Sequence, residues 1–370
     1  MDQRFASIPP EAEEKLPAAG TLAGKASRAL LRRFPVWPIV DFLSRKSVPR
    51  HGQSFWYSMG SLALFLFAVQ VATGILLMMF YSPSQPWMSV QRIVNEIPFG
   101  ALIRSVHHWS ANLMVLVLFV HLFSTFFMKA YRAPRELTWL TGLALLGITM
   151  FLGFSGYLLP WDELSFFATR VGISELEKTP LVGELIAGYV RGGADVTVDT
   201  IGRFYPLHVV VLPGLLLAVM SVHLFFVQVQ GVSEPDRFAA LPPDRKRYDK
   251  FFSHYLLNEL PLWMLLATLL VLLAALAPRT LDPEANPGAA APEGIKPEWY
   301  FLMPFQVLKL FPGSLELVGM ALTGLIPMLF VLVPFVDRSV PADKRGVVVM
   351  RAGIGMVVFL VAMTLWGWLS

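Results

Sequence analysis

The sequence predicts an all-α integral membrane protein with seven transmembrane helices, an N-terminal four-helix bundle followed by a C-terminal three-helix part. Three observations point there. The 370 residues are 55% hydrophobic and only 15% charged, where a soluble domain carries about a quarter charged residues. The mean hydropathy is +0.58. The charges are also segregated, leaving uncharged gaps that each hold the roughly 20 apolar residues needed to cross a hydrocarbon core of about 30 Å. Length alone would allow two or three soluble domains, a prior that the apolar runs override.

The chain opens on a polar extension over residues 1–45, with Pro9, Pro10 and Pro17 and then a basic stretch around Arg28, Arg32 and Arg33. It lacks the short apolar core and cleavage site of a signal peptide. The expectation is a disordered or surface-lying leader, with a specific partner site as the other reading. The gap from Arg50 to Arg92 then frames a first span at roughly 55–81, and that from Arg104 to Lys129 a second at 105–128. Glu136 to Asp162 frames a third at 137–159, and Arg203 to Glu234 a fourth at 205–230. These four make an N-terminal domain over 46–233, followed by a linker at 234–258. Glu259 to Arg279, Glu316 to Asp337, and Arg351 to the end frame the last spans at 259–277, 316–336 and 350–369, a C-terminal domain over 259–370.

Two segments between spans are long. Residues 160–204 include "PWDELSFFATRVG", an amphipathic stretch expected to lie along the membrane surface. Residues 278–315 run through the Pro/Ala/Gly-rich "DPEANPGAAAPEG" into "KPEWYFLMPFQVLKLF", where Pro297 is placed to open a short helix from Glu298. Both fall on one side of the membrane, as a cap over a site would.

Basic residues set the orientation. Lys25, Arg28, Arg32, Arg33, Arg45, Lys46 and Arg50 precede the first span, and Lys129, Arg132 and Arg135 separate the second from the third. Arg237, Arg245, Lys246, Arg247 and Lys250 follow the fourth, and Arg338, Lys344, Arg345 and Arg351 precede the seventh. The alternate loops are richer in acids, among them Asp162, Glu163, Glu175, Glu177, Glu184, Asp195 and Asp199. The positive-inside rule makes the N-terminus cytoplasmic. The isoelectric point near 9.3 then reflects topology and not nucleic-acid binding. Cysteine is absent, which excludes disulfides, thiolate metal sites, iron–sulfur ligation and thioether attachment of a haem by this chain. A metal centre here has to rest on histidine.

Of the seven histidines, His107 and His121 lie in the second span and His208 and His223 in the fourth. Spacings of fourteen and fifteen residues rise roughly 21 and 22 Å along a helix, and at about 100° per residue they end about 40° short of and 60° past four turns. Each pair therefore looks from one broad face, one member towards each side of the bilayer. The two spans run in the same direction, so His107 lies level with His208 and His121 with His223. Two facing imidazoles at two depths, about 20 Å apart, is the geometry of bis-histidine haem, making the N-terminal part a dihaem bundle. A lone intramembrane histidine is more often a hydrogen-bonded bundle residue or part of a proton relay; the paired spacing on parallel spans outweighs that reading. Gly60 and Gly74 in the first span and Gly142 and Gly156 in the third repeat the fourteen-residue spacing. They would give each flat macrocycle room against a backbone, beyond ordinary small-residue packing.

Other polar residues have plainer readings. His108 points about 100° from His107 and reads as interfacial or polar packing. His51 and His254 sit near cytoplasmic helix ends, where an interface role is favoured over proton uptake. Arg104, one turn before His107, could pair with a haem propionate while anchoring the helix end.

With "RSVHHWSA" and its second histidine, "GYLLPWDELSFFA", "FYPLHVVVLPGLLLAVMSVH" and "PEWYF", the chain resembles cytochrome b of the Rieske/cytochrome b quinol-oxidising complexes over nearly its whole length from about residue 45. The fifteen-residue spacing of His208 and His223, "VQVATG" at 69–74, "PRELTW" at 134–139 and seven spans rather than eight favour the bf-like branch. On that resemblance the four-helix cytochrome b and its three-helix partner subunit are joined in one chain.

The resemblance implies two non-covalent b-type haems, the low-potential one on His107 and His208 near the outer face, the high-potential one on His121 and His223 near the cytoplasm. It implies that Glu298, in the run Pro297, Glu298, Trp299 and Tyr300, accepts a quinol proton at an outer site lined by Tyr157 and Phe301. A carboxylate beside an apolar ring pocket suits that task because its pKa is tunable; "PEWY" alone could instead be an interfacial aromatic belt. The implied activity is quinol:cytochrome c-type (or plastocyanin-like acceptor) reductase. One electron passes to a Rieske iron–sulfur protein and the other through the haems to quinone near the cytoplasmic face, with protons released outside and taken up inside. Implied partners are that Rieske protein, a c-type cytochrome subunit, the membrane quinone pool and a second copy in a homodimeric complex, in an energy-transducing bacterial inner membrane and without nucleic acid.

The chain also departs from the branch. Ser58 stands where the branch has the cysteine that binds an extra haem, so no covalently bound haem is expected. Gln228 and Ser124 replace usual arginines, which leaves the inner quinone site untransferable. Two rivals differ in class. A dihaem anchor relaying electrons for a peripheral dehydrogenase needs the histidines but not "PEWY", and a transporter using intramembrane histidines needs no haem.

Overall fold

The computed structural model describes residues 16–18, 20–34, 46–337 and 344–370. The leader's Pro9 and Pro10, and Arg45 and Arg338, lie outside the described residues. Among the described residues seven helices are long and apolar enough to cross a membrane: Ser54–Met78, Gly100–Phe127, Glu136–Leu158, Val198–Gln230, Leu256–Leu276, Gly313–Val336 and Gly346–Leu369. They occupy the charge gaps, but the second and the fourth to seventh begin three to seven residues earlier than expected, the second and fourth most. Their charged ends, Arg104 and Arg203, lie inside the helices, because a charge bounds the apolar run and not the hydrogen-bonded helix.

The chain forms two compact units. The first comprises residues up to Ser54 and Leu241–Leu262. In it, α1 (Leu22–Arg33) is capped by Thr21, whose hydroxyl accepts the Gly24 N–H. A two-stranded antiparallel sheet pairs β1 (Ser47–Pro49) with β2 (Tyr248–Lys250), Ser47 opposite Lys250. Arg50 and Asp249 add an ion pair at 3.6 Å. Such pairing joins segments about 200 residues apart and has no periodic signature in the sequence.

The second unit comprises Phe55–Ala240 and Trp263–Ser370. Its helices are α2 (Ser58–Met78), α3 (Pro86–Asn95), α4 (Gly100–Phe127), α5 (Glu136–Leu158), α6 (Glu163–Glu177), α7 (Gly183–Arg191), α8 (Val198–Pro206) and α9 (Leu212–Gln230). After α10 (Leu256–Leu276), which crosses between the units, come α11 (Leu302–Lys309), α12 (Glu316–Val336) and α13 (Lys344–Leu369). α2 packs along α4 and α5 along α9, so the four-helix part is two helix pairs. Between α8 and α9 the chain takes a π-helical stretch, Leu207–Val211, after Pro206. Proline withholds an N–H and crowds the preceding turn, and a π-bulge absorbs the extra residue at the point that carries His208.

Apolar side chains serve two solvents. Leu265 and Met264 on α10 and Phe225 and Val229 on α9 are exposed outward, as lipid-facing residues are. Inside, Leu66, Phe67, Met114, Leu216 and Leu270 pack at mid-helix. Phe126, Tyr131, Trp139 and Phe330 pack at the His121 end. At the other end, the expected amphipathic stretch is helix α6, with Asp162 and Ser165 forming a capping box. It packs with α7 and α8 around Phe166, Phe167, Ile173, Ala187, Ile201 and Phe204, so the 160–204 segment is a folded layer with its own core.

Candidate functional site

The imidazoles of His107 on α4 and His208 in the π-helical stretch are neighbours, ring centroids 6.4 Å apart and planes at 75°. Two imidazoles that shared one metal through bonds of roughly 2 Å would have centroids roughly 6 to 6.5 Å apart. His121 on α4 and His223 on α9 lie at the opposite ends of the same helices. All four rings meet a glycine at their Cε1 edge. A Cβ added to Gly74 would lie 3.4 Å from His107 Cε1, and one on Gly60 3.4 Å from His121 Cε1. On Gly142 it would lie 3.2 Å from His223 Cε1, and on Gly156 2.5 Å from His208 Cε1. The glycines thus let the histidine rings come close against a helix backbone.

Three hydroxyls orient three of the rings. Thr73 Oγ1 lies 2.8 Å from His107 Nδ1, Thr141 Oγ1 3.0 Å from His223 Nδ1, and Ser155 Oγ 3.1 Å from His208 Nδ1. Each hydroxyl donates its own proton to a carbonyl of its helix: Thr73 to Val69, Thr141 to Leu137, Ser155 to Leu152. The ring Nδ1–H is then the donor to the hydroxyl oxygen, which leaves Nε2 unprotonated and able to bind a metal. His121 Nδ1 is buried without a partner. Sequence reasoning passed over these hydroxyls, although a signal was there: each stands one residue before its glycine, as "TG", "TG" and "SG". Among the described residues no three His, Cys, Asp or Glu converge on one point, so each histidine pair could offer a metal two nitrogens. A macrocycle that brings its own equatorial ligands fits that set.

His107, His208, Gly74 and Gly156 line a cavity of about 320 Å³. Glu298, Tyr157 and Tyr300 open into the same space, with Arg279 and Asp162. Pro297, Trp299 and Phe301 are not among its lining residues; they shape the segment that carries Glu298. Glu298 starts a 3₁₀ turn, Trp299–Phe301, which runs into α11, so the helix expected from Glu298 begins one residue later. Trp299 Nε1 donates to Asn112 Oδ1 on α4 at 2.8 Å. A Cβ on Gly153 would lie 2.9 Å from the Tyr300 hydroxyl, and Phe301 meets Phe154 edge-on at 6.3 Å. Burial raises the Glu298 pKa above the ordinary carboxylate range, with Arg279 opposing part of the rise. Burial also raises the Tyr300 pKa, with Glu298 adding to it.

Arg104 is 9% exposed and lines this cavity. It donates to the carbonyls of Arg279 at 2.7 Å and Thr280 at 3.3 Å, while Ser105 Oγ accepts the Arg279 N–H at 3.1 Å. Trp109 Nε1 donates to Ala277 O at 2.8 Å. One stripe of α4 therefore fastens the segment after α10 and, through Asn112, the turn at Trp299. His108 lines the cavity too, and Asn112 Nδ2 donates to its carbonyl at 3.0 Å. Ser58 is buried at the start of α2, and Ser124 donates to His121 O at 2.9 Å within its own helix.

Comparison with known proteins follows the same division. The family described as "Cytochrome b/b6/petB" matches residues 43–231, and that described as "Cytochrome b(C-terminal)/b6/petD" matches 284–370. A "Cytochrome bc complex cytochrome b subunit" of Chlorobaculum thiosulfatiphilum is 45% identical over 333 residues, 88% of this chain and 77% of that one. A "Cytochrome b6" of Heliobacterium mobile is 39% identical over 209 residues, 56% of this chain and 98% of that one. Among solved structures, "Hyperthermophilic respiratory Complex III" aligns with a TM-score of 0.77 at 27% identity, covering 93% of this chain and 90% of that one.

Proposed function

The chain belongs to the cytochrome b/b6 family, with a petD-type C-terminal part in the same polypeptide, and from that premise we propose that it is the dihaem, quinol-oxidising subunit of a quinol:cytochrome c-type oxidoreductase. One observation carries the reading: the ligand-bearing pair His107 and His208 and the carboxylate of Glu298 line one cavity. A redox centre and a base that can receive a proton are thereby within one space.

Quinol binds there with its ring among apolar walls. Glu298, ionised, accepts a proton from a quinol hydroxyl; its raised pKa makes the carboxylate a stronger base than one in water. The hydroxyls of Tyr157 and Tyr300 border the same space and orient the quinol head. Pro297, Trp299 and Phe301 hold Glu298 in place. Two non-covalent b haems, on His107/His208 and His121/His223, supply one-electron carriers on the two sides of the membrane when bound. Arg104 has N–H groups beyond those spent on Arg279 and Thr280 and would hold a propionate of the nearer haem. The Gly60, Gly74, Gly142 and Gly156 backbones let the four rings stand between the helices.

The domains in this reading are the extension at 1–45, the dihaem part at 46–233, the linker at 234–258 and the "PEWY"-bearing part at 259–370. The N-terminus is cytoplasmic in a bacterial inner membrane, and quinol oxidation releases protons on the other side. The partners are a Rieske iron–sulfur protein, a c-type cytochrome subunit, the quinone pool and a second copy of the complex. The test is Glu298→Gln in the assembled complex. A large loss of quinol oxidation with an intact b-haem spectrum supports the reading. Undiminished turnover supports the dihaem anchor, and a protein without a redox-active b-type spectrum supports the transporter.

A further inference from the structure

Three of the four histidines share one arrangement and the fourth departs from it. Thr73, Thr141 and Ser155 each stand one residue before the glycine that backs a histidine, and each oxygen lies within hydrogen-bond distance of that ring's Nδ1, at 2.8, 3.0 and 3.1 Å. The corresponding position before Gly60 is Met59. Its side chain is buried at 6% exposure and has no oxygen to offer. His121 Nδ1 is buried and without a hydrogen-bond partner. Distance is not the reason: Gly60 approaches its ring as Gly74 does, each with a built Cβ at 3.4 Å. Nor do the nearby hydroxyls compensate: Ser124 and Thr125 donate to the His121 carbonyl at 2.9 Å, and neither is a partner of His121 Nδ1.

Resting on the dihaem reading above, we infer that Met59 sets a redox difference between the two sites. By withholding the hydroxyl that the other three rings have, it makes His121 the weakest electron donor of the four. It thereby raises the reduction potential of the haem on His121 and His223 above that of the haem on His107 and His208. An imidazole whose Nδ1–H donates a hydrogen bond gains imidazolate character and is the more basic ligand. A more basic ligand favours the ferric state and lowers the potential; second-shell hydrogen bonding is one of the protein's main levers on haem. The sign favours electron flow from the Glu298 end of the helices to the His121 end. Met59 touches no reacting atom and acts only through His121, as a positioning residue.

The test is an optical redox titration of the purified complex, read at the b-haem bands, of the wild type and of Met59→Thr, Thr141→Val and Thr73→Val. Met59→Thr is expected to lower one midpoint and leave the other in place. The change should be about five- to tenfold in the ferric–ferrous equilibrium, the scale of one hydrogen bond, tenfold being about 59 mV for one electron. Thr141→Val should raise that same midpoint and Thr73→Val the other, which assigns the two components. Met59→Ser supplies the hydroxyl on a smaller side chain and decides the matter if the threonine variant fails to assemble. A preparation with both haems whose midpoints are unmoved by the hydroxyl at 59, or in which the Thr73→Val component moves instead, overturns the inference. A wild type without two b haems overturns the dihaem reading, and this one with it.

Discussion

Gly156 backs so closely onto His208 that a Cβ on the glycine would fall 2.5 Å from the ring's Cε1. At Gly60 the same atom would stand at an ordinary 3.4 Å from His121. Alanine should therefore be felt unequally at the two positions. Gly156→Ala is expected to displace the His208 ring and cost the complex the haem on His107/His208. Gly60→Ala should retain both haems. Haem content per chain in the purified complexes checks this, and equal retention in both variants would count against the packing described.

The acid side of the pH profile should report Glu298. Its pKa is raised by burial, and only the ionised carboxylate can take a quinol proton. As pH rises through that raised pKa the ionised fraction grows, so the rate of quinol oxidation should climb above the usual carboxylate range and then level. Glu298→Gln should remove this limb and leave a low, flat profile. Initial rates across mildly acidic buffers measure it; an unchanged limb in the glutamine variant would assign the titration to another group.

The bond from Trp299 to Asn112 holds the turn that presents Glu298. Asn112→Leu strands the half-buried indole N–H, and losing such a bond costs about 1 kcal/mol. Quinol oxidation should fall about 10-fold or more, since small misplacements of a reacting group are costly, with the haem spectrum intact. Trp299→Phe should cost a similar amount, and the double variant no more than either single one. Losses that multiply would mean that the two side chains act separately.

At the His121 end, the Tyr131 hydroxyl donates to Asp337, a side chain 1% exposed that also lies 3.7 Å from Arg132. Removing a donor from a buried carboxylate costs about 1–3 kcal/mol. Tyr131→Phe should lower the thermal midpoint of the solubilised protein. Arg50→Ala, which breaks an ion pair whose arginine is 67% exposed, should leave it nearly unchanged. A ranking the other way round would contradict the burial seen at Asp337.

Much of this was legible in the chain because its physics is periodic or compositional. Charge gaps bounded the spans to within seven residues at their starts, and the spacings of His107 with His121 and of Gly60 with Gly74 marked the faces that meet. "PEWY" identified the segment that reaches the cavity. What stayed hidden depends on pairings between distant residues. Asn112 and Trp299, Arg104 and the carbonyls at 279–280, and Tyr131 and Asp337 are each about 170 to 210 positions apart, with no repeat to announce them. The π-helical turn at His208 was hidden differently, since Pro206 signals a break but not which way the chain absorbs it. The hydroxyls before the glycines were readable and overlooked, because a threonine in an apolar run looks like any other small residue.

The central claim is that four histidines hold two haems, and a haem count combined with a redox titration of the purified complex tests it most directly. The expected result is two b haems per chain with separate midpoint potentials, reduced to one by His121→Leu and to the other by His107→Leu. A single haem, none, or two that survive both substitutions would contradict it.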